Sequence, residues 1–489
     1  MYDAFAGLIG QISNLMYSYI LIIILLGGGI WFTFRTKFVQ FRMFKESIKV
    51  VMEKPDKEGG VSSFQALMVS PASRVGTGNI VGIATAVCLG GYGAVFWMWV
   101  IAILGGASAF IESTLAQIYK KRHPDGSSYG GPAYYIEAAL HNRPLALLFA
   151  VSMTLTYAGG FNMLASYNLQ STFSGYSFYN PTVTPWVIGG ILAVLVGYCL
   201  MGGGKRIVHV TSAVVPFMGI LYIAVALIVT LLHINLLPSV LVKIFAEAFN
   251  FSAIFGGFSG SCVMYGIKRG LFSNEAGVGS APNAAAAAEV SHPVKQGLVQ
   301  MLSVFIDTLL LCTCTALMCL CSGVEPSADL AGAPYVQAAL QNALGGFGPI
   351  FITISMVLFA FTTLLGNFYY VDNLLIYIMN KVPSKQFMLC FRIVASLVIF
   401  VGAGLSMGLV WDLADVLMGI MAIINIPVIC LLGTPAIKAL VDYANQKKEG
   451  KNRERNVPLT QCFHLFHTSH LLRHGLARQS LRLEQQDYH

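Results

Sequence analysis

Long apolar stretches, separated by short polar or charged segments, dominate the pattern along this chain. Many approach the roughly 20 residues that a helix needs to cross a bilayer. The predicted fold class is therefore an all-α membrane protein with one embedded domain. The pattern predicts eleven transmembrane helices, at residues 17–34, 66–92, 94–118, 146–172, 183–202, 209–233, 250–267, 296–322, 346–378, 388–408 and 411–436.

Polar segments divide the chain into three predicted parts. Residues 1–65 hold the first span and a basic loop, residues 66–440 hold a ten-helix core, and residues 441–489 form a tail. The loop at 35–60 alternates apolar residues with bases, which predicts an amphipathic interfacial helix, the alternative being a solvated linker.

The tail is rich in bases, Gln and His, and we expect it to be disordered on the cytoplasmic side. Its Cys and His residues have spacings compatible with a metal, the alternative being a biased tail without ligand geometry. These residues are Cys462, His464, His467, His470 and His474.

Composition supports the membrane assignment. Of 489 residues, 56% are hydrophobic and 11% are charged, against roughly 45–50% and 25% in soluble domains. Nine of the ten cysteines lie in apolar runs without CxxC pairs, as expected for small buried side chains and not for disulfides. The chain has no GxxxxGK[ST], HExxH or GxSxG motif, so neither an enzyme nor a cofactor is predicted.

The basic residues indicate orientation. Nineteen Lys and Arg side chains fall in segments that share one side of the predicted topology, and Lys243 alone falls on the other. Because basic loops stay in the cytoplasm, we expect an external N-terminus and a cytoplasmic C-terminus in a bacterial inner membrane. The net charge of +8 therefore reflects topology, and no nucleic-acid partner is expected beside the lipid bilayer.

Two segments are unusually rich in glycine: SPASRVGTGNIVGIATA at 70–86 and GLFSNEAGVGSAPNAAAAA at 270–288. An offset of 201 residues places Gly76 on Gly277 and Gly78 on Gly279. The two segments enter the predicted membrane from opposite sides. This predicts inverted repeats of five helices each, at about 66–233 and 250–436.

The first glycine-rich segment is a candidate binding site. Each glycine lowers helix propensity by roughly 1 kcal/mol relative to alanine, and unwound backbone is tolerated within a membrane where it lines a cavity. We expect Gly76, Thr77, Gly78 and Asn79 to bind a substrate carboxylate through N–H groups. Close helix packing on the glycines is the alternative. The second segment adds the substrate-site candidates Gly277, Gly279 and Ser280.

Two further features place polar side chains inside apolar spans. Thr362 and Thr363 could supply oxygen ligands to sodium, or they could only bond to carbonyls of their own helix. Asp307 is costly at membrane depth and predicts a functional or structural partner, unless it lies near the helix end. Its candidate neighbours are Arg74, Thr308, Thr313 and Thr315.

Four motifs, RVGTGNIVGIATA, GGPAYYIE, KRGLFSNEAGVGSAPNAAAAA and FAFTTLLGN, resemble those of the alanine or glycine:cation symporter family. The resemblance covers about residues 10–445. It implies a leucine-transporter-like fold of five plus five helices with one additional N-terminal span. Sodium is then the coupling ion, and alanine, glycine or occasionally glutamine the substrate.

The same resemblance implies site residues. One sodium would be bound by carbonyl groups of Ala72, Val75 and Phe359 and by the hydroxyls of Thr362 and Thr363, with Asn79 near the substrate or a second ion. The remaining candidates are amides near the substrate. Asn162 and Asn168 lie in the fourth span, and Asn367 stands where many members have an aromatic residue, which alters substrate size or marks a subgroup.

The sequence thus predicts a sodium-coupled symporter that imports small neutral amino acids by alternating access. A channel would need a continuous polar pore, although broken helices also occur in channels. An amino-acid sensor on a transporter fold would bind substrate without accumulating it.

Overall fold

The computed structural model describes residues 2–53, 61–122, 128–201, 203–250, 254 and 261–449, and the side chains of these except 69–73 and 203–212. The described residues are almost entirely helical, with one two-stranded hairpin of β1 (Lys121–Arg122) and β2 (Ser128–Tyr129). The expected all-α architecture is confirmed.

The first half of the chain contains short helices between long ones. In order they are α1 (Tyr2–Arg35), α2 (Val39–Arg42), α3 (Phe44–Val51), α4 (Ser63–Arg74), α5 (Gly78–Gly90), α6 (Gly93–Ile118), α7 (Pro132–Leu140), α8 (Arg143–Gly175), α9 (Thr184–Leu200), α10 (Gly203–Leu232) and α11 (Leu237–Ala248).

The second half continues in the same way. Its helices are α12 (Cys262–Asn274), α13 (Ala281–Ala287), α14 (Pro293–Leu320), α15 (Ala333–Leu344), α16 (Phe347–Met379), α17 (Lys385–Ala403) and α18 (Met407–Lys448).

Eight of the described helices are long and apolar enough to cross a membrane: α1, α6, α8, α10 over Ala213–Leu232, α14, α16, α17 and α18. Two shorter apolar helices, α5 and α9, fall below that length. The total of eleven spans remains a prediction. Helices α11 and α15 lie in segments predicted as loops, although Pro238 and Pro334 are at the helix starts that proline favours.

Both glycine-rich segments interrupt helices. In the first, residues 75–77 separate α4 from α5 inside the predicted span 66–92. In the second, residues 275–280 separate α12 from α13. Most of the first part of the predicted span 250–267 lies outside the described residues; its end is corrected, because α12 continues past residue 267 to Asn274.

Lys268 and Arg269 set the predicted end of this span, because a Lys-Arg pair resembles a cytoplasmic loop. Both are buried, and each places a charged nitrogen 3.0 Å from Asp415. Trp411 covers Arg269, with the guanidinium carbon 3.9 Å from the ring centroid. Paired charges are tolerated at membrane depth, so these two residues do not belong in the count of loop bases.

Among the described residues, four helices contain a wider π-helical turn: Met16–Ile20 in α1, Gly78–Gly82 in α5, Thr156–Gly160 in α8 and Phe305–Cys312 in α14. Such turns insert one extra residue and often occur at functional sites. Those of α5 and α14 contain three of the predicted site residues, Gly78, Asn79 and Asp307.

Candidate functional site

A narrow buried cavity lies beside the first helix break. Its accessible volume of about 10 Å³ is that of about one water molecule. Five of its lining residues were sequence candidates: Arg74, Gly76, Thr77, Gly78 and Thr363. Sequence reasoning missed the other five: Phe161, Leu164, Ala165, Phe272 and Glu275.

Both glycines of the first break meet another helix closely. A Cβ at Gly76 would overlap the Thr363 hydroxyl on α16. A Cβ at Gly78 would lie 2.5 Å from Cε1 of Phe272 on α12. Close helix packing on the glycines and a cavity at the break therefore do not exclude each other, because the same two glycines permit the close contact and line the cavity.

The amide of Asn79 closes the first break. The side-chain Oδ1 of Asn79 accepts the backbone N–H of Gly76 at 2.9 Å, and the backbone N–H of Asn79 donates to the Gly76 carbonyl at 3.2 Å. Both of these backbone donors thus have acceptors within the chain. Of the four residues predicted to bind the substrate carboxylate through N–H groups, Thr77 and Gly78 therefore remain as candidates, and both line the cavity.

Asp307 lies fully buried in the π-helical turn of α14. Asn79 donates to its Oδ1 at 2.7 Å, while Ser273 and Thr308 donate to Oδ2, Thr308 at 3.1 Å. These groups are all uncharged. The arrangement offers carboxylate and hydroxyl oxygens, the ligands that hard cations prefer.

Two predicted neighbours of Asp307 bond elsewhere. Thr313 accepts the indole N–H of Trp99 at 2.8 Å, and Thr315 shares a hydrogen bond with Tyr222 at 2.9 Å. Arg74 also faces another carboxylate, with Nε 3.7 Å from Oε2 of Glu275.

The two adjacent threonines of α16 differ. Thr362 donates to the carbonyls of Leu358 and Phe359 in its own helix, at 2.9 and 3.2 Å. The buried Thr363 Oγ1 faces the cavity without a hydrogen-bond partner among the described residues. Of the other predicted sodium ligands, Val75 lies in the break, whereas the side chain of Ala72 lies outside the described part.

The predicted amides lie outside the cavity lining given by the described residues. Asn367 donates to Oδ1 of Asn162 at 2.8 Å, linking α16 to α8. Asn168 donates to the Thr77 hydroxyl at 3.1 Å. Asn168 therefore touches a cavity residue, while Asn162 and Asn367 support the helices behind it.

The second break has a different local role. Gly277 and Gly279 adopt positive φ values of 83° and 96°, a conformation that favours glycine. Glu112 accepts the N–H of Gly277 at 3.2 Å, and its other oxygen accepts from Asn425 at 2.8 Å. Ser280 donates to Glu275. The three predicted residues of this break shape it and do not line the described cavity.

Glu275 is the main residue that sequence reasoning missed. It ends α12 in a left-handed conformation with φ of 51° and accepts a hydrogen bond from Tyr157 at 2.7 Å. The available signal was an acidic residue within a glycine-rich motif at predicted membrane depth.

The predicted metal ligands of the tail lie outside the described residues. Within the described part, no group of three or more His, Cys, Asp or Glu side chains could hold a metal.

Comparisons with known proteins agree over nearly the whole chain. The profile of the sodium:alanine symporter family matches residues 2–457. Amino-acid carrier protein AlsT of Bacillus subtilis is 44% identical, over 94% of this chain and 97% of its own. Sodium/alanine symporter AgcS of Methanococcus maripaludis is 38% identical, over 92% and 99%.

Among solved structures, MhsT in complex with L-phenylalanine matches with a TM-score of 0.52 at 14% identity, covering 78% of this chain and 96% of its own. At that identity the likeness concerns the fold alone. It supports the leucine-transporter-like architecture predicted from the sequence.

Proposed function

The chain belongs to the sodium:alanine symporter family, and on that premise we propose that it carries alanine or glycine across the membrane together with sodium. The related proteins are named as carriers and symporters, so the chain is a transporter and not an enzyme. The observation that carries the substrate site is the buried cavity beside a broken helix, where backbone groups and charged side chains meet.

Two positions are proposed for the coupling ion. The first lies at Thr363, whose buried hydroxyl has no protein partner in the described part. The second lies at Asp307, whose carboxylate adjoins the hydroxyls of Ser273 and Thr308. Asn79 bonds both to the first break and to Asp307, so an ion at Asp307 would act directly on the backbone beside the cavity.

The proposed orientation keeps the N-terminus outside and the C-terminus in the cytoplasm of a bacterial cell. This orientation does not depend on Lys268 and Arg269, because the remaining Lys and Arg residues of the loops still lie almost entirely on the predicted cytoplasmic side. Two breaks, one in each of the oppositely oriented repeats that the sequence predicts, favour alternating access around a fixed site over a channel.

Uptake into proteoliposomes tests the function. We expect labelled alanine to accumulate when an inward sodium gradient is imposed, and not in its absence. Counterflow of alanine should saturate, which a channel would not reproduce, and a sensor would bind alanine without accumulating it. Failure of the purified protein to accumulate either alanine or glycine would contradict the proposal.

Asp307→Asn tests the second ion position because it removes the charge while keeping the shape. We expect sodium-driven accumulation to fall at least tenfold. The exposed Asp329→Asn is the matched control and should transport normally. Normal sodium dependence of transport in Asp307→Asn would contradict a cation role for this carboxylate.

A further inference from the structure

Arg74 and Glu275 occupy equivalent places in the two predicted repeats. The offset of 201 residues that pairs Gly76 with Gly277 also pairs Arg74 with Glu275. Arg74 is the last residue of α4, and Glu275 directly follows α12, so each stands at the start of its break. The pseudo-symmetric positions thus carry opposite charges.

Both side chains line the same cavity and are buried, with 0% and 1% of their side-chain surfaces exposed. Their closest charged atoms lie 3.7 Å apart, beyond normal hydrogen-bond length. The two groups therefore neutralise each other through space without a direct hydrogen bond.

The guanidinium retains unused donors. Nη1 of Arg74 donates to Ser303 at 3.4 Å, but buried Nε and Nη2 have no hydrogen-bond partner among the described residues. These two nitrogens share one edge of the guanidinium, the geometry that binds a carboxylate with two parallel hydrogen bonds. Buried donors normally have partners, so this edge points to a ligand carboxylate.

The carboxylate of Glu275 is held in place by two hydrogen bonds. Tyr157 and Ser280 both donate to its Oε2, which fixes the side chain at the cavity wall. Its left-handed backbone, with φ of 51°, is uncommon for a residue other than glycine. Such strained conformations persist mainly at functional sites.

We propose that Arg74 and Glu275 form a charge-recognition pair for a zwitterionic amino acid. When the cavity opens beyond its present volume of about 10 Å³, the substrate carboxylate binds the Nε and Nη2 edge of Arg74 together with the backbone donors of Thr77 and Gly78. The substrate ammonium then replaces that guanidinium beside Glu275. An ion pair inside the protein is thus exchanged for two ion pairs with the ligand. This inference rests on the proposed function and names the two groups that its substrate must carry.

The chemistry predicts discrimination by charge. Propionate lacks the ammonium, so its carboxylate would occupy the guanidinium of Arg74 and leave Glu275 as an unpaired buried charge. Alaninamide lacks the carboxylate and would leave the Arg74 edge unfilled. In the wild-type protein at saturating sodium, we expect both analogues to compete with labelled alanine at least 100-fold more weakly than alanine itself. Competition by either one within threefold of alanine would overturn the proposal.

A double-mutant comparison separates recognition from a purely structural ion pair. Glu275→Gln and Arg74→Gln each leave one buried charge, which is destabilising, whereas Arg74→Gln/Glu275→Gln removes both. We expect the double variant to keep a near-wild-type thermal midpoint yet bind alanine at least tenfold more weakly. Glu289→Gln, a buried carboxylate paired with Arg122 away from the cavity, controls for removal of a buried charge.

The analogues give each single variant its own signature. Glu275→Gln should reduce the preference for alanine over propionate at least tenfold, and Arg74→Gln the preference for alanine over alaninamide. Double-variant affinity for alanine within threefold of wild type would reduce the pair to a structural role and overturn the inference. If the wild type lacks sodium-driven uptake, the proposed function fails instead; intact uptake with unaltered double-variant affinity refutes this inference alone.

Discussion

Replacement of Thr363 by Val should make the sodium-free protein more stable and its sodium affinity weaker. The Thr363 hydroxyl is buried beside Gly76 without a hydrogen-bond partner in the described part of the chain. Leaving such a group unsatisfied costs roughly 1–3 kcal/mol, and an apolar replacement of similar shape relieves that cost. A structural threonine would not ordinarily be left in this state.

The loss of sodium affinity follows from removing the same hydroxyl oxygen of Thr363. A contact to a charged group contributes roughly 1.5–3 kcal/mol, and each 1.4 kcal/mol changes a binding constant about tenfold. We therefore expect the half-saturating sodium concentration for alanine uptake to rise about tenfold or more in Thr363→Val. The thermal midpoint without sodium should rise in the same variant, and the stabilisation gained on adding sodium should shrink.

The adjacent Thr362 supplies the matched control. Its hydroxyl already bonds to the carbonyls of Leu358 and Phe359, so Thr362→Val removes a local bond worth about 1 kcal/mol or less. Half-saturating sodium in this variant should stay within threefold of the wild type. Equal shifts in the two variants, or a fall in sodium-free stability in Thr363→Val, would refute the reasoning.

Two further predictions concern the first break and the topology. Gly78→Ala places a Cβ 2.5 Å from the Phe272 ring, an overpacking that costs roughly 1–3 kcal/mol. Alanine binding should therefore be lost, and Phe272→Leu in the same chain should restore part of it. Normal alanine binding by Gly78→Ala alone would contradict a substrate site at this break. An impermeant thiol reagent applied to intact cells should label exposed Ser327→Cys and not exposed Lys49→Cys, with wild type as the blank for native thiols; the reverse labelling would reject an external N-terminus.

The breaks themselves were predictable because glycine acts through the backbone. Two glycines at 76 and 78 weaken a helix whatever surrounds it, and the structure separates α4 from α5 there. The end of α12 at Asn274 was less predictable, since Lys268 and Arg269 look like loop bases until Asp415 is known to lie beside them. Asp415 is distant in sequence from both residues, so the local sequence pattern does not reveal the pairing.

The cavity residues differ in the same way in whether the local sequence predicts them. Gly76, Thr77 and Gly78 line the cavity as expected from local sequence. Phe161 and Phe272 do so because their helices cross the break, and an aromatic residue in an apolar run gives no signal of that crossing. The distinction between Thr362 and Thr363 likewise depends on which face of α16 meets Gly76.

The π-helical turn of α14 has a consequence for how the protein tolerates change in chain length. Each helical residue advances by about 100° around the axis. A single deletion in a regular α-helix therefore rotates every following side chain by about that angle, whereas a deletion within Phe305–Cys312 removes the extra residue of the π-helical turn and leaves the helix on either side facing the same neighbours. Hydrophobicity and span length would hardly change. A one-codon deletion there would thus displace Asp307 within the turn while leaving the rest of α14 and its membrane insertion intact, and hydropathy profiles would not detect the lesion.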